Sequence, residues 1–110
     1  MKSDLLPTEK VIKEGAANQQ KGWETVGGRL YLTNQRLVFE SHSFNSQTGI
    51  TIIQLSRIGT IKKAWTKLLN IFPLLPNSIL INIENQQFNF VIFSRSKWIA
   101  AINQAKDAIS

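Results

Sequence analysis

The chain has 110 residues, a length that suits one domain and leaves little room for a second core. Hydrophobic residues make up 43% and charged residues 18%, which favours a packed interior over disorder, and the formal net charge is +6. There is no cysteine, so a disulfide framework and a thiolate metal site are both excluded.

The N-terminal residues and the most apolar segment indicate whether the protein is secreted or spans a membrane. Acids and a proline interrupt residues 1–9, so no secretory signal peptide is expected there. The segment from Leu68 to Pro76 contains two prolines and is far shorter than the ~20 apolar residues of a membrane span. We therefore expect a cytoplasmic protein whose association with a membrane, if any, is peripheral and on the inner face.

The first half of the chain carries the clearest hairpin pattern. Residues 9–17 are predicted as a first strand, and a turn-rich stretch over residues 18–22 follows it. Around Asn34-Gln35, four large apolar residues alternate with other side chains, so that Leu30 faces Phe39 and Leu32 faces Leu37. This register places all four on one face of a strand pair, and that face must be buried.

A second hairpin is predicted around Asn85-Gln86. The opposite residues in this prediction are Ile83 with Phe88, Ile81 with Phe90, and Ile79 with Ile92. Between the two hairpins, the apolar alternation changes phase within residues 50–55, which predicts a bulge or bend near Ile52-Ile53, where a strand turns a corner.

The pattern becomes helical at the C-terminus. Trp98, Ile102, Ala105 and Ile109 recur at helical spacing, which predicts a helix over residues 96–109 that covers one end of the β-structure. Ser94 or Ser96 is expected to cap its first turn.

Residues suited to catalysis are few. His42 is the only histidine and lies in the loop-like run of residues 41–46, which contains no acid; this is typical of a solvated loop histidine. The seven acids are scattered, and no pair has the spacing for acid–base or divalent-metal chemistry. We therefore expect no enzyme activity, no cofactor and no metal.

The most specific motif spans residues 28–40, reading GRLYLTNQRLVFE. It resembles the signature of GRAM domains, which are pleckstrin-homology-like modules, and the likeness extends from Leu5 to Ile109. The resemblance implies a mainly β fold with one C-terminal α-helix: a seven-stranded, strongly bent barrel or sandwich capped by the helix. The whole chain, 1–110, would be one such domain, with its strands within about residues 9–93.

The resemblance also implies where a ligand would bind. Many phosphoinositide-binding relatives carry a basic residue on the first strand and a basic-x-Arg pair on the second, since several cations must converge on adjacent phosphates. The corresponding residues here are Lys13 or Lys21, and Arg29. Tyr31 stands where the second cation of the pair would be, which argues against tight binding of a specific phosphoinositide head group.

A second candidate site lies within residues 62–76. Lysines beside aromatic and aliphatic residues suit an anionic membrane, and the candidates are Lys62, Lys63, Trp65, Lys67 and Phe72. The three lysines are expected on one exposed edge. Two alternatives remain open: Trp65 and its apolar neighbours fill the core, or residues 62–71 form a short helix that ends before Pro73.

These observations predict a non-enzymatic binding module that associates peripherally with anionic membrane lipid or with a protein partner. The alternative is a small nucleic-acid-binding β-barrel, supported by a pI of about 10.0 and by three tryptophans that could stack on bases. The tryptophans, however, fall in three different elements, and no strand interleaves aromatic with basic residues.

Overall fold

The computed structural model describes residues 1–22, 24–44, 48–67 and 74–109, with the side chains of 65–67 and 74–77 outside that description. This part of the chain forms seven antiparallel strands and a C-terminal helix, which confirms the predicted fold class. The elements are β1 (Val11–Lys21), β2 (Glu24–Thr33), β3 (Arg36–Ser41), β4 (Ile50–Gln54), a 3-10 turn (Leu55–Arg57), β5 (Thr60–Lys67), β6 (Leu74–Ile83), β7 (Gln86–Ile92) and α1 (Arg95–Ala108).

The strands form one sheet in the order β4-β3-β2-β1-β7-β6-β5. In a flat sheet β4 and β1 would lie about 14 Å apart, because neighbouring strands are separated by about 4.8 Å. The Thr51 hydroxyl of β4 nevertheless donates a 2.8 Å hydrogen bond to Gln19 of β1. The rings of Phe39 on β3 and Phe90 on β7 also meet, with centroids 5.7 Å apart. The sheet therefore curls strongly, and its concave face encloses the core.

The first hairpin has the predicted register. Leu30 faces Phe39 and Leu32 faces Leu37, and each of these side chains is at most 1% exposed. Asn34, in the turn, accepts a 2.8 Å hydrogen bond from the Lys10 amide, which fixes the turn against the residue before β1. The apolar alternation was sufficient to place all four side chains on the core face, and the two-residue turn at Asn34-Gln35 sets the register.

The second hairpin has a different register from the predicted one. The observed pairs are Ile83 with Gln86, Ile81 with Phe88, and Ile79 with Phe90. The predicted register was wrong by two residues because the chain reverses at Glu84 and Asn85, where Glu84 adopts a positive φ of 49°. A shift of two residues keeps the same side chains on the core face, so the core-facing set was still predicted correctly, although Phe88 is only partly buried.

Two further predictions about the strands were wrong. β1 begins at Val11 instead of residue 9 and continues to Lys21, because Gln19 and its neighbours pair with β2 on one side and β7 on the other. Pairing on both sides outweighs the low strand preference of Asn and Gln. No bulge occurs at Ile52-Ile53, since β4 pairs with β3 without interruption and Ile52 points outward.

The N-terminal segment, residues 1–10, covers the outer face of the first hairpin. The Asp4 carbonyl accepts a 2.8 Å hydrogen bond from Arg36 of β3. Tyr31 and Val38 face each other across β2 and β3 on the side away from the core, yet they are only 6% and 0% exposed. This hairpin is therefore buried on both faces, which the alternation of its apolar residues did not predict.

Helix α1 packs against the concave face. Trp98, Ile102 and Ala105 are buried as predicted, whereas Ile109 follows the last helical residue and is 46% exposed. The predicted serine cap was wrong, because the Ser94 side chain makes no capping hydrogen bond. In the described part of the chain, no helix is long and apolar enough to cross a membrane.

Candidate functional site

Glu9 and Arg36 form a buried ion pair between the N-terminal segment and β3. The guanidinium donates to both carboxylate oxygens, at 2.7 and 3.1 Å, and Thr33 donates a further hydrogen bond at 2.6 Å. Burial by itself raises the pKa of Glu9, but the bonds from Arg36, Thr33 and the Leu6 amide lower this pKa to about 2. Each oxygen is occupied by a structural bond, so the carboxylate is not available to a substrate.

Glu40 has a similar structural role. Its carboxylate accepts the backbone amides of Lys2, at 2.9 Å, and Ser3, at 2.8 Å, and also the Ser3 hydroxyl. Burial raises the pKa of Glu40, and these hydrogen bonds more than compensate, leaving the pKa below its usual range. The two carboxylates with shifted pKa values therefore anchor the N-terminal segment and do not line a cleft.

Other acids are paired with arginines at the surface. Glu14 lies 3.1 Å from Arg29, and Glu84 lies 4.0 Å from Arg57. Exposed pairs of this kind contribute little to stability, but they neutralise both charges locally. Several exposed lysines form no salt bridge with any acid in the described residues: Lys21, Lys62, Lys63 and Lys97. The positive excess of the chain is therefore concentrated on lysines.

The candidates within residues 62–76 are only partly described. Lys62 and Lys63 are adjacent, exposed residues of β5, which is an edge strand, so residues 62–67 form a strand and the helical alternative is wrong. Trp65 and Lys67 belong to the same strand, but their side chains lie outside the described residues, as does all of Phe72. The role of these three residues in a contact surface stays a prediction.

The structure does not bring Lys21 and Arg29 together. Lys21 ends β1 and is exposed, while Arg29 pairs in register with Ala16. Counted along β1, Ala16 and Lys21 fall on opposite faces of the sheet. The guanidinium of Arg29 is also engaged by Glu14. Convergence of these two cations on one phosphate group is therefore not supported by their positions.

Phe93 is an exposed residue that the sequence analysis did not select. It lies between β7 and α1 and is 89% exposed. The next residue, Ser94, has a left-handed backbone (φ 57°, ψ 48°), and Arg95 donates a 2.8 Å hydrogen bond to the Ala64 carbonyl of β5. The alternation of β7 contains the signal, because Ile92 faces the core and the residue after it must point outward.

The region around His42 shows no arrangement suited to catalysis. His42 is exposed in the turn after β3, and its ring lies against Gly27 of β2. Within the described ranges, no group of three His, Asp or Glu side chains could hold a metal ion. These observations leave the exposed lysines and Phe93 as the surface features that invite a functional interpretation.

Comparisons with solved structures identify the architecture. The chain is similar to the C-terminal domain of an unknown protein from Leishmania infantum, with 19% identity, a TM-score of 0.71, and coverage of 91% of this chain and 86% of the other. It is similar to the Vps36 N-terminal PH domain at 14% identity and a TM-score of 0.71, covering 96% and 84%. It is similar to the human ARAP2 N-terminal PH domain at 16% identity and a TM-score of 0.69, covering 100% and 89%.

At these identities the structural likeness establishes the fold alone, which is that of pleckstrin-homology domains. No curated protein matches the sequence. The family model of the GRAM domain matches residues 1–105, which is nearly the whole chain. This match agrees with the resemblance seen over residues 28–40 and with the seven strands and closing helix described above. The chain belongs to the GRAM domain family.

Proposed function

We propose that the chain is a non-enzymatic module that associates peripherally with anionic phospholipid surfaces. The observation that carries this proposal is the distribution of charge. The net charge is +6, and the ion pairs of Glu9, Glu14 and Glu84 use arginines, while the exposed lysines Lys21, Lys62, Lys63 and Lys97 form no salt bridge within the described residues. Unpaired lysines next to an anionic surface contribute about 1 kcal/mol each.

The state of the carboxylates supports a binding role over a catalytic one. The residues with shifted pKa values in an enzyme usually line a cleft and face a substrate. Glu9 and Glu40 instead bond to the N-terminal segment and to the first hairpin. The pleckstrin-homology-like fold is used mainly for binding lipid head groups or protein segments, which agrees with this proposal.

A protein segment is the second candidate ligand, and one observation favours it. β4 is an edge strand with no charged residue, and its Ile52 is 46% exposed. An uncharged edge can accept an extended peptide as an additional strand. The other edge, β5, carries Lys62 and Lys63, and lysines on an edge oppose such pairing.

Vesicle binding tests the proposal directly. The protein is sedimented with vesicles of phosphatidylcholine alone and with vesicles containing phosphatidylserine, each at low and high salt. We expect capture by the anionic vesicles only, and weaker capture at high salt, because salt screens exposed charges. A parallel titration uses a single-stranded oligonucleotide, the ligand of the alternative function.

Two results would contradict the proposal. Equal capture by neutral and anionic vesicles, unaffected by salt, would show that charge does not direct the association. Tight binding of the oligonucleotide without vesicle capture would instead support the nucleic-acid-binding alternative.

A further inference from the structure

Phe93 is exposed to an extent that the fold does not require. At 89% it is the most exposed of the large hydrophobic residues in the described chain, and the next, Ile12, is 54% exposed. Single apolar residues on a surface are common and need no special explanation. Two further observations suggest a function for this exposed side chain. The backbone around Phe93 is fixed, and the charges near it are positive.

The backbone holds Phe93 in an outward position from both sides. Ile92, the preceding residue, pairs with Ala17 and is only 4% exposed, so the strand register turns Phe93 away from the core. Ser94, the following residue, has a left-handed conformation that is unfavourable for serine. Arg95 is then tied to the Ala64 and Ser78 carbonyls at 2.8 and 3.5 Å. Because this backbone is already fixed, a partner that covers Phe93 does not have to order the chain around it.

The charges near Phe93 are positive. Arg95 and Lys97 lie in the first turn of α1, which contains no acid, although the helix dipole favours acids at that end. Arg95 also connects the start of the helix to the residue that follows Lys63 on β5. Lys62 pairs with Leu80 on the outer face and lies two strands and about four residues from Phe93, which is roughly 16 Å at standard strand spacings. Lys63 pairs with the buried residue Ile79, so it points to the other side of this edge strand.

From this arrangement we infer that the surface formed by Phe93, Lys97 and the β5 edge, with Lys62 on the outer side of that edge and Lys63 on its other side, is the part of the domain that contacts an anionic phospholipid bilayer. We call it the junction surface, since it surrounds the junction of β7 and α1. The lysines meet the head groups, and the Phe93 ring enters the interface between head groups and acyl chains. This inference rests on the proposed function and assigns the contact to β5, β7 and α1 instead of Lys21 and Arg29.

The test uses the same vesicles with matched variants. Phe93→Ala is expected to weaken binding to anionic vesicles about tenfold, since it removes most of the apolar surface that enters the interface. Phe93→Leu should retain most of the binding. Ile52→Ala is the control, because it removes another exposed apolar side chain, 46% exposed, from β4.

A second pair of variants tests the contribution of the lysines. Each double variant removes two positive charges, so the two variants have the same net charge. The double variant Lys62→Gln, Lys63→Gln should lose about fivefold in affinity per lysine at low salt. The control, Lys10→Gln with Lys21→Gln, removes two exposed lysines outside the junction surface and should lose less. Thermal midpoints are measured for all variants and should stay close to that of the parent, since the replaced side chains are exposed.

The outcomes separate this inference from the proposed function. If the parent binds anionic vesicles and Phe93→Ala binds as well as the parent, another surface makes the contact and the inference is wrong. A greater loss for the Lys10 and Lys21 variant than for the Lys62 and Lys63 variant would also overturn it. If the parent itself does not bind, the proposed function fails.

Discussion

Glu9 and Arg36 lie 27 residues apart in the sequence and form a two-contact ion pair whose side chains are 0% and 7% exposed. The pair joins the segment before β1 to the beginning of β3. A buried charge is strongly destabilising without its partner, because it has lost its hydration and gains nothing in return. Each buried charge is therefore compensated by the other, and the pair holds the N-terminal segment against β3.

Arg36→Met is expected to destabilise the protein by about 3–5 kcal/mol, since it leaves the Glu9 carboxylate buried and uncompensated. The measurement is the free energy of unfolding in urea. The double variant Glu9→Leu, Arg36→Met removes both charges and should be more stable than Arg36→Met alone. If the double variant is the less stable of the two, the loss comes from packing and not from an unpaired charge.

The stability of the folded chain should fall in acid. The pKa of Glu9 is about 2 in the folded chain, below its ordinary value of 4.5, so the unfolded chain takes up this proton first as the pH falls. The contribution of Glu9, roughly 3 kcal/mol, is complete above pH 4.5 and is lost between pH 4.5 and about 2. Glu40, whose pKa is also lowered, acts in the same direction.

Urea unfolding at pH 7, 4 and 3 measures this effect. Arg36→Met provides the comparison, because burial without the guanidinium raises the pKa of Glu9 and reverses its contribution to the pH dependence. We therefore expect a smaller loss of stability in acid for the variant. Equal losses in the two proteins would show that Glu9 is not responsible.

Gly28→Ala should be far more disruptive than Gly27→Ala, although the two glycines are adjacent in β2. A Cβ at Gly28 would overlap the Glu40 carbonyl oxygen and come within 2.7 Å of the Ser41 Cα, both of which are backbone atoms of β3. At Gly27 the nearest atoms belong to the Asn18 and His42 side chains, at 3.1 and 3.3 Å, and these can move.

We expect Gly28→Ala to cost about 1–3 kcal/mol or more, as overpacking does in a rigid site. Thermal unfolding of the two variants under the same conditions tests the difference. Similar thermal midpoints for the two variants would mean that β2 and β3 can move apart at Gly28 without loss of stability. That result would contradict the close contact between these two strands.

Leu32→Ala should destabilise the protein by about 2–5 kcal/mol, because it truncates a fully buried side chain and leaves a cavity. Ile12→Ala serves as the control, since Ile12 is 54% exposed and should change stability by less than about 1 kcal/mol. Unfolding free energies of the two variants are compared at pH 7. A larger loss for Ile12→Ala would contradict the assignment of the two faces.

The features that the sequence predicted well are those in which local pattern and global packing agree. The first hairpin follows from the alternation of Leu30, Leu32, Leu37 and Phe39, and the helix follows from the spacing of Trp98, Ile102 and Ala105. The register of the second hairpin was missed because the tight reversal at Glu84 depends on a positive φ that glutamate rarely adopts.

The candidate site was predicted less completely, because it depends on contacts between distant segments. The exposure of Lys62 and Lys63 could be expected from their charge, whereas the separation of Lys21 from Arg29 depends on the pairing of β1 with β2. Glu9 was expected to lie in a strand, and only the path of residues 1–10 across β3 explains its burial. The alternation after Ile92 predicts that Phe93 points outward, but it does not show that no other segment covers the ring.

The path of the N-terminal segment has a consequence for the order of folding. The bonds from the Lys2 and Ser3 amides to Glu40 close loops of 38 and 37 residues, and closing such loops costs entropy that only a preformed partner surface can offset. That surface is the outer face of β2 and β3, which does not exist until the hairpin has formed. We therefore expect residues 1–10 to dock after the hairpin has formed, although they precede it in the chain.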